Sequence, residues 1–141
     1  MVLLVLAATT AAAQPACAPT PRDMEGPFYK PGAPPRATTG RGLVIRGAVK
    51  SAGTCTPIPG ARIEWWQANR EGEYDDEHRA HLVAGGDGTY RFETDPPPGY
   101  SGRPPHVHVK VFAPGHRTLT TQIYPKPGTP DLTFDLVLTR Q

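Results

Sequence analysis

A chain of 141 residues with a formal net charge of +2 is long enough to bury one core and too short for two ordinary ones. Its charges of both signs are scattered, with no basic run to track a phosphate backbone, which argues against nucleic acid as a partner. Eighteen prolines and fifteen glycines, with β-branched and aromatic residues in short runs between them, point to an all-β sandwich with little helix.

The chain opens on an apolar run from Met1 to Ala8, which passes through Thr9 and Thr10 into Ala11-Ala12-Ala13 before the polar Gln14. This reads as the hydrophobic stretch and cleavage site of a secretory signal over residues 1–13, making the mature protein secreted or periplasmic. The run is too short to span a membrane. Basic residues that normally precede such a run are missing, so the true start lies upstream or the signal is atypical. If the chain is exported, Cys17 and Cys55 meet an oxidising compartment, and a disulfide between them would tie the N-terminal segment to the turn Thr54-Cys55-Thr56-Pro57. Retention in the cytoplasm would instead leave two free thiols. The position of Cys17 behind the apolar run also raises lipidation, although no Leu precedes it at the usual place.

Residues 14–39 are rich in Pro and Gly without lasting periodicity and are expected to form an extended arm around a β-sandwich domain at residues 40–141. Within the arm, Phe28 and Tyr29 could anchor the core or wall a pocket. Leu43–Val49, Arg62–Asn69 and Tyr90–Thr94 read as the first three strands, the third following the turn dipeptide Asp87-Gly88. His106–Phe112, Leu119–Tyr124 and Leu132–Leu138 supply three more, with antiparallel or mixed pairing. Two stretches, Arg70–Gly86 and Asp95–Pro105, are expected to be long irregular loops, a feature often tied to function.

His106 and His108 stand two apart at the start of a strand, where side chains i and i+2 share a face. Two imidazoles on one rigid face make half of a metal site. Without further support, one could equally be packed and the other exposed. Tyr74 and Tyr100 lie in the two expected loops, where a lone tyrosine is ordinarily a packing residue. Beside two histidines their phenolates would suit a hard trivalent iron, which holds phenolates ionised well below their usual pKa near 10. Arg103, stiffened by two following prolines, is placed to hold an anion, and Gln122 to orient the arginine or a ligand. His78 and His81, three apart with no helical periodicity around them, read as solvated loop residues.

Taken in order, Glu25-Gly26-Pro27-Phe28-Tyr29, Ile63–Asn69 with Gly72-Glu73-Tyr74, Tyr100 with Arg103-Pro104-Pro105-His106-Val107-His108, Leu119–Tyr124 and Phe134–Leu138 resemble the intradiol ring-cleavage dioxygenases. The resemblance spans nearly all of the chain beyond the signal. It implies a β-sandwich holding a non-haem Fe(III) through Tyr74, Tyr100, His106 and His108, and cleavage of catechol-type substrates by O2 between their hydroxylated carbons. It further implies that Arg103 stabilises the developing carbanion, that Gln122 supports the site, and that Gly26, Pro27 and Phe28 line the substrate pocket. The loop holding Tyr100 is shorter than in protocatechuate enzymes, and the helical dimerisation domain of catechol enzymes is absent, which leaves substrate choice and homo-oligomer formation open. Two other readings compete: a non-catalytic transthyretin-like binding sandwich, and a zinc hydrolase using His106, His108 and a carboxylate such as Asp75 or Asp76.

Overall fold

The computed structural model describes residues 7–8 and 17–141. The expected signal at residues 1–13 lies outside the described residues except for Ala7 and Ala8. Eight strands follow in order: β1 Leu43–Ser51, β2 Arg62–Ala68, β3 Tyr74–Val83, β4 Thr89–Thr94, β5 Val107–Phe112, β6 Leu119–Ile123, β7 Asp131–Thr133 and β8 Leu136–Leu138. One sheet runs β3-β2-β5-β6, antiparallel throughout. The other is built on β1, with β4 antiparallel on one side and β7 then β8 parallel on the other.

The two sheets pack face to face because their strands alternate. Ile63 and Trp65 of β2, Val107, Val109 and Val111 of β5 and Ile123 of β6 meet Ile45, Val49, Phe92, Leu136 and Leu138 in one buried cluster. Trp65 stacks on Phe92 with centroids 4.5 Å apart, a pair contributing about 0.5–1.5 kcal/mol beyond its buried area. The alternate residues of the first sheet turn outward. Register places Trp66, His108 and Gln122 in one row across β2, β5 and β6, and Glu64, Lys110 and Thr120 in the next.

Two expectations are corrected. Arg70–Gly86 is no irregular loop, since most of it is β3, joined to β2 by a hairpin in which Asn69 Oδ1 accepts the backbone N–H of Glu71 and Glu73. As an edge strand, β3 carries charged residues on both faces and so shows no polar–apolar alternation. Leu132–Leu138 is two strands, broken at Phe134 and Asp135. The Phe134 N–H bonds to Arg46 O while its carbonyl accepts the Tyr90 hydroxyl, and Asp135 Oδ1 accepts Ala48 N–H. Gly47 makes room for this break, because a Cβ there would sit 2.1 Å from the Phe134 carbonyl oxygen.

Residues 17–39 form no named strand but bind both edges of the first sheet. Asp23 N–H donates to Thr120 O and the Thr121 hydroxyl to Pro21 O at the β6 edge; Arg36 N–H donates to His81 O and His81 N–H to Pro34 O at the β3 edge. Between these anchors the segment crosses the outer face. A Cys17–Cys55 disulfide, with Cα atoms 5.3 Å apart, pins its start.

Candidate metal centre

The first two donors stand at the start of β5, His106 immediately before the strand and His108 on its outer face. His106 and His108 are 1% and 2% exposed, with their rings edge to face at 4.9 Å. Trp66 stacks against His108 at 4.9 Å and 7°. Pro104 O lies 2.9 Å from His106 Nδ1. A carbonyl only accepts, so Nδ1 carries the proton and the Nε2 lone pair faces the site. His108 Nδ1 is buried and, among the described residues, has no hydrogen-bond partner.

Tyr74 opens β3, aimed by the β2–β3 hairpin. Tyr100 begins the turn Tyr100-Ser101-Gly102-Arg103, closed by Arg103 N–H to Tyr100 O at 2.8 Å and Tyr100 N–H to Arg103 O at 3.2 Å. Ser101 and Gly102 have φ of 48° and 73°, the mirror-image turn that closes a two-residue hairpin. Tyr100 and Arg103 are therefore delivered as neighbours. The irregular loop expected from Asp95 to Pro105 contains this turn.

The four donors meet at one point. Tyr74 Oη lies 2.6 Å from Tyr100 Oη, 3.0 Å from His108 Nε2 and 3.4 Å from His106 Nε2, and Tyr100 Oη lies 3.1 Å from His106 Nε2. Nitrogen and oxygen ligands bind a first-row cation at about 2.0–2.2 Å, so ligands at right angles stand roughly 3 Å apart. The observed spacing matches. Burial, followed by the hydrogen bond and charge of Tyr100, pushes the Tyr74 phenol well above its ordinary range. Burial lowers His106 below its usual 6.5; burial, His106 and Arg103 take His108 down to about 4. At neutral pH the set offers two uncharged imidazoles, and Tyr74 ionises only against a strong positive charge. That donor chemistry fits a hard metal cation.

The crossing segment covers the centre. A Cβ on Gly26, whose φ is +72°, would reach within 3.5 Å of His108 Cε1. Phe28, 45% exposed, stacks on Tyr74 at 4.2 Å and 12°. With Pro27, Lys30, Tyr74, Asp75, Asp76 and Arg79 it lines a cavity of about 180 Å³. Tyr29 turns the other way, against Trp66, and donates to Glu64. On the opposite flank Arg103 Nη2 donates to Gln122 Oε1 at 2.8 Å, and Gln122 Nε2 donates to Met24 O at 2.7 Å.

His78 and His81 stay apart from this cluster, and neither is a solvated loop residue. His78 is held between Asp75 Oδ1 at 2.7 Å and Asp95 Oδ2 at 3.0 Å; His81 Nδ1 donates to Ala33 O at 2.6 Å. The zinc alternative fails on the same geometry. Asp75 is engaged by Asn69 and His78, Asp76 pairs with Arg79, and among the described residues no group of three His, Cys, Asp or Glu gathers as a metal cluster. Sequence reasoning missed the polar cluster in which Tyr29 donates to Glu64, and Lys110, paired with Glu25, lies over the Tyr29 ring, although alternation along β2 puts Glu64 on the same face as Trp66. It also missed Asp23 and Tyr124 beside Arg103, which no local pattern marks.

This fold and donor set define a class of β-sandwich with two tyrosines and two histidines gathered on one sheet face. A family model described as "Dioxygenase" matches residues 25–139, and the chain belongs to the intradiol ring-cleavage dioxygenase family. Among its relatives, catechol 1,2-dioxygenase from Pseudomonas sp. (strain EST1001) is 34% identical over 141 residues, 74% of this chain and 46% of that protein. Hydroxyquinol 1,2-dioxygenase from Nocardioides simplex is 38% identical over 133 residues, 70% and 45%. The chain thus spans about half the length of the curated relatives it matches. Among solved structures, the dioxygenase domain of a dioxygenase carbohydrate-binding protein fusion from Streptomyces sp. SirexAA-E superimposes with a TM-score of 0.78 at 35% identity, covering 87% of this chain and 99% of that one.

Proposed function

We propose that this chain is a non-haem ferric dioxygenase that opens the ring of a catechol between its two hydroxylated carbons, consuming O2 and yielding a muconate-type product. The observation that carries this reading is the convergence of Tyr100, His106 and His108 on Tyr74, whose Oη lies within 3.4 Å of the donor atom of each of the other three. An iron(III) held by these four would supply Lewis acidity, drawing charge from a chelating catecholate and making its ring reactive toward O2.

The chain's own residues do the rest. Tyr100, on its short turn, accepts a catechol proton at Oη, a role its place in the family pattern assigns. Phe28 and Pro27 wall the ring and exclude water. Among the described residues, Nε and Nη1 of Arg103 have no hydrogen-bond partner, so the guanidinium is free to face charge that develops on the ring. Family membership together with an intact donor set favours this over a non-catalytic binding sandwich. Export to an oxidising compartment belongs to the same proposal, supported by the Cys17–Cys55 disulfide.

An aerobic visible spectrum with iron analysis on the purified chain, before and after adding catechol, tests it. The expected result is a tyrosinate-to-iron charge-transfer band that shifts with catechol and one iron per chain. A protein that stays colourless after ferric reconstitution would end this reading.

A further inference from the structure

Beside Arg103 lies a chain of hydrogen bonds that starts in the N-terminal segment. Asp23 Oδ2 is 2.6 Å from Tyr124 Oη, Tyr124 Oη is 3.3 Å from Arg103 Nη2 and 2.9 Å from Gln122 Oε1, and Arg103 Nη2 is 2.8 Å from Gln122 Oε1. Tyr124 has a single hydrogen and two acceptors within reach. A carboxylate at 2.6 Å is the stronger acceptor, and that hydrogen bond holds the Asp23 carboxyl below its ordinary range.

With the hydrogen committed to Asp23, the Tyr124 oxygen can only accept from Arg103. Arg103 Nη2 then donates to both Tyr124 Oη and Gln122 Oε1. Gln122 in turn is fixed by its donation to Met24 O. Each group has one role, and the guanidinium plane is held at two points. If the carboxylate were neutralised, the Tyr124 hydroxyl could turn to Gln122 Oε1 and compete with Arg103 for it.

We propose that Asp23 and Tyr124 are positioning residues: the Asp23 carboxylate sets the direction of the Tyr124 hydroxyl, and the Tyr124 oxygen with Gln122 holds the Arg103 guanidinium in its working orientation. The segment that crosses the site is in this way part of its machinery. This deepens the function proposed above, since it rests on Arg103 facing the reacting ring.

Two readouts test it on the full chain, using Asp23→Asn, Asp23→Glu, Tyr124→Phe and the Asp23→Asn/Tyr124→Phe double variant. The first is side-chain ¹⁵N NMR of Arg103 on the metal-free protein, where slow guanidinium rotation reports the clamp independently of activity. The second is kcat set against the affinity for catechol measured anaerobically from the charge-transfer band. Asp23→Asn and Tyr124→Phe are each expected to speed Arg103 rotation and to lower kcat about tenfold, with anaerobic affinity unchanged within about twofold on the same ground. Asp23→Glu should restore both in part, and the double variant should be no worse than Tyr124→Phe alone. Unchanged Arg103 rotation in Asp23→Asn, or penalties that simply add in the double variant, would overturn the proposal. A wild-type chain inactive on every catechol, yet showing the rotation pattern, would remove the ring-cleavage function and leave the clamp standing.

Discussion

Tyr74 and His108 show how a single side chain is committed by its surroundings. His108 is buried and Tyr74 half-buried against the other donors, and burial favours the uncharged form of each. Removing either leaves a three-donor site, so Tyr74→Phe and His108→Ala are expected to lose iron, measured as metal per chain and as loss of the visible band. Arg103 touches none of the four donor atoms. Arg103→Ala should retain iron and its band while kcat falls by about 10²–10³-fold; normal turnover in that variant would remove the role given to it. Gly47 is the residue at which space alone decides. Gly47→Ala would drive a methyl into the Phe134 carbonyl, and a loss of about 2 kcal/mol or more is expected in chemical denaturation.

At the scale of elements, the site depends on how β3 is joined to the loop that carries Tyr100. His78 on β3 bridges Asp75 and Asp95, and Gln67 Nε2 donates to Asp95 O at 2.8 Å, so the root of the loop is stapled to two strands. Burial pulls the His78 pKa down, but the hydrogen bonds and charges of Asp95 and Asp75 outweigh it, and the net shift is upward from 6.5. Both carboxylates end below 3.8, as their hydrogen bonds outweigh burial. A raised histidine contributes stability that is full below 6.5 and is lost as pH rises through the raised value. Lowered carboxylates contribute above 3.8 and lose that contribution as pH falls through their lowered values. The melting-temperature gap between wild type and His78→Gln should accordingly be widest between pH 4 and 6.5 and should narrow in more alkaline buffer. A gap independent of pH would mean that the staple acts through packing.

For the molecule as a whole, one segment closes both edges of the donor-bearing sheet, lays Gly26 to Phe28 over the centre, and is locked by a disulfide 38 residues apart in sequence. Loop-closure entropy gives such a cross-link about 4 kcal/mol at most. The Cys17→Ser/Cys55→Ser variant should therefore melt several degrees lower, with its segment opened to proteolysis around residues 17–28. Because that segment also supplies Asp23 and Met24 to the Arg103 flank, the variant should lose kcat in greater proportion than it loses iron. Free-thiol titration of unreduced protein bears on the same feature, and two reactive groups would remove the disulfide.

The sandwich and the four candidate donors were legible in the residues and in the order of their motifs. Strands buried on one face write a two-residue period into the chain, and metal ligands must be particular residue types at particular places, so β1, β2 and β5 and the His106–His108 pair could be read directly. Tyr74, Tyr100 and Arg103 were reachable through the order of the family motifs, and the Ser-Gly turn that sets Tyr100 beside Arg103 is a local signal that was available. The remainder follows from contacts between segments far apart in the chain. The polar edge strand β3 takes its partners from β2 and from the N-terminal segment, so no periodicity announces it. The break at Phe134 depends on Gly47, 87 positions away from that residue in the chain. His78, Asp23 and Tyr124 acquire their roles from residues distant in sequence, because hydrogen bonding acts at about 3 Å in space and leaves no imprint on the residues alongside.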